Sequence, residues 1–228
     1  MGKKMKKSRG EYNLSFGADL IHNVTLKVVG NLPSSLTTCN TSDGLINRNV
    51  VPRRNVQTLA PTESKDLTFF QMAAQGELLL LQREIESRNF NIDVPDNQGF
   101  TPLLWACANG QKAAVELLVF YGANIILSGD NGETGLLLAA SRGHFDVVLY
   151  LLKAGCPVDL SDELCNTALM FAAYNNNAAI VSLLLDWGAD ITSINADGWT
   201  ALDFAIRRGS RASQRIIEKH ILSLLQTH

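Results

Sequence analysis

The frame Gly99-Phe100-Thr101-Pro102-Leu103-Leu104-Trp105-Ala106 returns every 33 residues, as Gly132-Glu133-Thr134-Gly135-Leu136, Cys165-Asn166-Thr167-Ala168-Leu169 and Gly198-Trp199-Thr200-Ala201-Leu202. Ala106, Ala139, Ala172 and Ala205 keep the same register, as do Val115, Val148 and Val181, then Gly122, Gly155 and Gly188. A fixed period of this length argues against one closed core. Each copy is a single supersecondary unit that cannot cover its own apolar face, so the copies must stack into a solenoid.

Within one copy, the frame threonine is placed to cap a first helix, and Pro102 suits a first helical turn, where its missing N–H costs nothing. The pairs Leu117-Leu118 and Leu151-Leu152 and the run Leu183-Leu184-Leu185 mark the apolar stripe of a second helix. Between the helices, Gly110, Gly143 and Gly209 fit a left-handed backbone, and Asn176, the next most tolerant residue, takes that slot once. This is the plan of an ankyrin repeat. Met72-Ala73-Ala74-Gln75-Gly76 aligns with Ala106-Cys107-Ala108-Asn109-Gly110 at a spacing of 34 and supplies a degenerate first copy. The expected fold is all-α: an ankyrin-repeat solenoid of about five repeats with β-turn fingers. The repeats fall at about 67–98, 99–131, 132–164, 165–197 and 198–228, and the run from Arg215 to Leu225 forms a C-terminal cap.

Charge divides the chain differently from its formal net of -2: residues 1–66 carry ten Lys/Arg against five Asp/Glu, and residues 67–228 carry ten against seventeen. The 1–66 segment reads as a basic, mostly disordered tail, with a strand-like stretch at 20–29 and a Ser-, Thr-, Asn- and Pro-rich remainder. Lys3, Lys4, Lys6, Lys7 and Arg9 form a basic run that reads as an import signal, a polybasic anchor or a solvated start. No apolar run approaches the length of a membrane span, so no membrane insertion is expected and the compartment is nuclear or cytoplasmic. Cys39, Cys107, Cys156 and Cys165 form no CxxC pair and have no histidine at ligand spacing, which favours reduced structural thiols over a metal site.

The sequence holds no Gly-rich phosphate loop, nucleophile elbow or HExxH, so neither catalysis nor a cofactor is expected, and His144 reads as part of the repeat. The position two residues after each frame leucine is large and apolar throughout: Trp105, Leu138, Phe171 and Phe204. On the first helix this position faces the concave side or packs between helices; as an exposed row it would form a peptide-binding ladder. Finger residues, among them Phe100, Glu133 and Trp199, rim the same side with an acidic bias that favours a peptide carrying Arg or Lys. Arg207, Arg208, Arg211, Arg215 and Lys219 make a basic face on the last repeat, to be read as a nucleic-acid contact, an acidic-partner contact or a solvated cap.

Gln71-Met72-Ala73-Ala74-Gln75-Gly76-Glu77, the frame from Gly99 to Ala106, Asn176 in the glycine slot and the ending Ile217-Glu218-Lys219-His220-Ile221-Leu222 resemble the family of the RFX-associated ankyrin protein and its paralogue, ankyrin repeat family A. The resemblance covers residues 67–226. It implies a non-enzymatic adaptor and transcription co-regulator whose groove takes Pro-x-Leu-Pro-x-Leu/Ile segments. Such segments occur in RFX transcription factors, class IIa histone deacetylases and a receptor tail, so DNA would be reached indirectly through an RFX-type complex. The alternative is a cytosolic scaffold linking a receptor tail to other proteins. The family's groove-lining aromatic pair falls on Trp105 and Phe171, the second being tyrosine in the family, and Phe100 and Glu133 also match.

Overall fold

In the computed structural model the described residues are 67–87 and 91–226. The basic run from Lys3 to Arg9, the strand-like stretch at 20–29, the rest of the tail and Cys39 lie outside them. Among the described residues ten helices lie in pairs: α1 (Phe69–Gln75) and α2 (Leu78–Ser87), α3 (Pro102–Ala108) and α4 (Lys112–Phe120), α5 (Gly135–Arg142) and α6 (Phe145–Lys153), α7 (Ala168–Tyr174) and α8 (Ala178–Asp186), α9 (Ala201–Arg208) and α10 (Arg211–Gln226). The first helices pack in one row and the second helices in another, each on its counterpart in the next pair.

Local chemistry sets the helix boundaries. Thr101, Thr134, Thr167 and Thr200 are extended N-caps whose hydroxyls accept from the backbone N–H three residues on, and Thr68 does the same for α1. Gly143 and Gly209 end α5 and α9 in the left-handed region, and Asn176 adopts φ 58° at the equivalent point. The frame alanines Ala106, Ala139, Ala172 and Ala205 are fully buried, as is Ala73 of the degenerate first pair. Only a methyl fits where the first helices approach. Leu118, Leu151, Leu184 and Ile217 occupy one register of the last four second helices and are buried in the principal core, with Ile85 of α2 partly buried against it.

The fingers between pairs carry no strands among the described residues, only isolated bridges between Ser128 and Thr134 and between Ser161 and Thr167. One backbone bond ties each finger to the next: Asp130 N to Gln98 O (3.2 Å), Glu163 N to Asn131 O (3.1 Å) and Ala196 N to Leu164 O (2.9 Å). The last pair shows how the stack ends. Where Leu104, Leu137 and Met170 are buried under the following repeat, the same register in α9 is Asp203, tied into a capping box with Thr200. Among the described residues no helix is long and apolar enough to cross a membrane, and no cluster of His, Cys, Asp and Glu is arranged to hold a metal ion.

Candidate functional site

Each finger is held by a short polar side chain at one register. Asp96 Oδ1 accepts from Gln98 N (2.8 Å) and Phe100 N (2.9 Å), Asp162 Oδ1 from Leu164 N (3.0 Å) and Asn166 N (2.8 Å), and Asn195 Oδ1 from Asp197 N (3.1 Å) and Trp199 N (2.9 Å). The third finger has Gly129 there, because a Cβ would lie 2.8 Å from the Phe100 ring. Glu133 substitutes: its carboxylate accepts from Asn131 N (3.1 Å) and Asn131 Nδ2 (2.9 Å). Several acidic finger residues are thus built into their own turns, which preorganises the rim while leaving less charge free for a ligand.

The row of large side chains divides in two. Leu138 is only 7% exposed and Phe100 only 3%, and with Leu104 and Ala108 they form a second small core. Of the two readings of that register, packing between helices holds for Leu138, and Phe100 is buried on its finger where a solvent-facing rim residue was expected. Trp105 lies against this cluster, half-buried, with its ring 5.7 Å from that of Phe100, and its indole N–H donates to Asp96 Oδ2 at 2.9 Å. One carboxylate therefore shapes the second finger and fixes the tryptophan rotamer. Phe171 and Phe204 are partly buried against the principal core and keep one side in solvent. Trp199, at the tip of the last finger, stacks edge-on to Phe204 with ring centroids 5.5 Å apart.

Tyr174, absent from the expected site, belongs to it. It lies one turn beyond Phe171 and meets Phe204 edge-on at 6.0 Å. The sequence signal was available in the register Ala108, Ser141, Tyr174, Arg207: this second concave position is small in the early repeats and large in the late ones. Arg207 and Arg208 sit over Trp199 and Tyr174, with guanidinium carbons 3.9 and 5.1 Å from the ring centroids. The basic face is therefore not a single group, since these two arginines lie on aromatic rings while Arg211, Arg215 and Lys219 are exposed on α10.

The thiols and His144 are accounted for by packing. Burial pushes the Cys156 thiol up to about 11 and raises Cys107 further, and Cys107 is also raised by its neighbour Cys156. Both therefore stay protonated and unreactive. Cys165 is exposed and free. His144 lies at the N-terminal end of α6, where its ring meets the backbone of the preceding repeat.

The family model described as ankyrin repeats (3 copies) matches residues 69–162 and 136–221. The chain is 54% identical over 174 residues to ankyrin repeat family A protein 2 of Bos taurus, covering 76% of this chain and 55% of that protein, and the Homo sapiens protein gives the same figures. It is 38% identical over 72 residues to the DNA-binding protein RFXANK of Homo sapiens, covering 32% of this chain and 28% of that one. The chain thus spans about half the length, 55%, of these ankyrin repeat family A relatives. The period in the sequence, the two helix rows and the family match agree, and the chain belongs to the ankyrin-repeat family.

Proposed function

We propose that the chain is a non-enzymatic adaptor and transcription co-regulator that binds partner peptides in the groove along its first helices. The observation that carries this reading is the half-exposed row Trp105, Phe171 and Phe204, spaced by whole repeats and rimmed by the braced fingers with Trp199. Partly exposed aromatics on a rigid scaffold are costly to leave in water and mark a surface that acts by being covered. The favoured ligand is an extended proline- and leucine-containing segment of the Pro-x-Leu-Pro-x-Leu/Ile type, whose rings and branched side chains fit aromatic walls at little ordering cost. Phe100 and Leu138 support the groove from beneath, and Glu133 holds its third finger.

Similarity to a protein named DNA-binding protein RFXANK favours partners in an RFX-type complex, with RFX transcription factors and class IIa histone deacetylases as sources of the segment. It also favours a nuclear pool beside the cytoplasmic one, with the run from Lys3 to Arg9 as the import signal. The test is binding of a Pro-x-Leu-Pro-x-Leu peptide to the wild-type chain and to Trp105→Ala and Phe171→Ala variants that unfold cooperatively. Loss of binding in both supports the groove; undiminished binding in both removes it. Loss of nuclear signal when residues 1–10 are deleted supports the co-regulator reading, and retention at a receptor-bearing membrane supports the scaffold alternative.

A further inference from the structure

The array is electrically polarised along its length. Residues 67–198 carry five Lys/Arg against fifteen Asp/Glu, whereas 199–228 carry five against two. Two of the five last-repeat cations are not loosely solvated. The Arg207 guanidinium carbon lies 3.9 Å from the Trp199 ring centroid and that of Arg208 5.1 Å from Tyr174, while Phe204 joins both rings edge-on at 5.5 and 6.0 Å. The five side chains form one interlocked cluster, and both arginines remain exposed.

A guanidinium stacked on a ring spends its flat face on the ring and keeps its N–H edges for a ligand. Those edges match a carboxylate bidentately, and the stacking has already removed much of the side chain's freedom, so little is left to lose on binding. Among the described residues no carboxylate forms an ion pair with Arg207 or Arg208, although the charge of Arg207 adds to the bonds from Thr200 in holding the Asp203 carboxyl below the usual carboxylate range. Asp203, one turn before Arg207, is engaged by the Thr200 N–H at 2.9 Å and hydroxyl at 2.7 Å. A shallow recess of about 250 Å³ opens beside Arg208, walled by Tyr174, Asn175, Asn176, Gly209 and Ser210.

We propose that this aromatic–arginine cluster is a docking site for an acidic segment of a partner protein, one that places Asp or Glu carboxylates on Arg207 and Arg208 and an apolar side chain against Phe204. Charge decides the occupant. The chain's own 1–66 segment carries ten Lys/Arg against five Asp/Glu and has the wrong sign. A nucleic-acid strand long enough to gain from counterion release would have to run from this short patch onto the acidic repeats beside it. A short acidic segment gains from the patch without meeting them.

The test measures fluorescence anisotropy of labelled Leu-Glu-Asp-Leu-Glu-Asp and of its uncharged counterpart Leu-Gln-Asn-Leu-Gln-Asn on the full chain. The acidic peptide is expected to bind about ten-fold or more tightly than the uncharged one. Joint Arg207→Gln and Arg208→Gln substitution should abolish that advantage, and Arg207→Lys with Arg208→Lys should recover only part of it. Arg215→Gln with Lys219→Gln, on α10 and away from the rings, should retain it. The proposal is overturned by equal binding of the two peptides, by undiminished binding to the double glutamine variant, by an equal loss in the α10 pair, or by a single-stranded oligonucleotide binding more tightly than the acidic peptide. The proline-motif peptide is measured in parallel, so failure of the groove reading and failure of this one are separately visible.

Discussion

The imidazole Nε2 of His144 lies 3.2 Å from the carbonyl oxygen of Ala108 in the preceding repeat. A carbonyl only accepts, so Nε2 carries the proton and donates. Asn177, one repeat on, gives its amide to Ala140 O at 3.0 Å, and Ser210 gives its hydroxyl to Tyr174 O at 3.0 Å. The residue before each of these second helices thus staples its repeat to the one behind, and His144 is the staple that titrates. Burial holds its pKa below 6.5; the Ala108 bond opposes this in part, and the charge of Arg142 adds a still smaller lowering effect. The unfolded chain therefore binds more protons than the native one as pH falls through this range. The contribution is complete above 6.5 and is lost as pH falls towards the depressed native value. The unfolding midpoint should drop over that window, and His144→Gln, which keeps a donor but does not titrate, should flatten the drop. An unchanged slope in the variant would assign the effect to another group.

Leu138 and Phe171 share one register but should respond differently to truncation. Leu138→Ala empties a side chain that is 7% exposed, and its expected cost is about 2–5 kcal/mol in urea unfolding. Phe171→Ala removes a ring already partly in water, so it should cost less stability while weakening the proline-motif peptide more. If Phe171→Ala is the more destabilising change, that ring is scaffold and not ligand surface.

The fold was legible in the sequence because a repeat reports every constraint several times over. The caps at Thr101, Thr134, Thr167 and Thr200, the buried alanines and the left-handed slot at Asn176 all follow from register and side-chain chemistry alone. The site was less legible, since exposure at one register depends on what the neighbouring repeat brings to it. Phe100 appears on a finger and so reads as solvent-facing, yet Gly129 in the next finger leaves the space that admits its ring. Leu138 is buried in the same small cluster. Pairings such as Arg208 on Tyr174 join positions 34 apart in different helices, and no single-repeat pattern announces them.

Cys165 takes φ 59° at the frame position where Gly99, Gly132 and Gly198 stand at 74°, 81° and 76°. A side chain there is strained, partly offset by the smaller entropy that cysteine has when unfolded. Cys165→Gly should therefore stabilise the chain by about 0.5–1 kcal/mol. Asn176→Gly should gain nothing, because Asn176 tolerates its φ of 58° and its Oδ1 accepts from Ser213 N at 3.2 Å. Equal gains from both variants in chemical denaturation would show that the asparagine bond contributes no stability.

Ser213 occupies the register of Ala114, Val147 and Ile180, all of them buried and apolar. Its hydroxyl is buried with no hydrogen-bond partner among the described residues. An unsatisfied buried hydroxyl retains its desolvation cost, and alanine is the better helix former. Ser213→Ala should raise stability by about 1 kcal/mol in urea unfolding. A loss of stability on the same measurement would mean that the hydroxyl bonds within α10 in solution.

Gly135 opens α5 at the position filled by Pro102, Ala168 and Ala201 in other repeats, and a Cβ there would lie 3.0 Å from the Cys107 sulfur. Cys107 in turn stands where the next two repeats have Ala140 and Ala173, both buried. The larger thiol and the missing side chain occupy each other's space. Gly135→Ala alone sets the helix-propensity gain of alanine, about 1 kcal/mol, against that close contact and should come out near neutral. In a Cys107→Ala background the sulfur is absent, and the same substitution should recover the full gain of about 1 kcal/mol. A double-mutant cycle read by chemical denaturation gives the coupling directly. Additive single-site effects would mean that the two residues adapt to the backbone separately, whereas a positive coupling would establish the glycine as the counterpart of the cysteine one repeat before it.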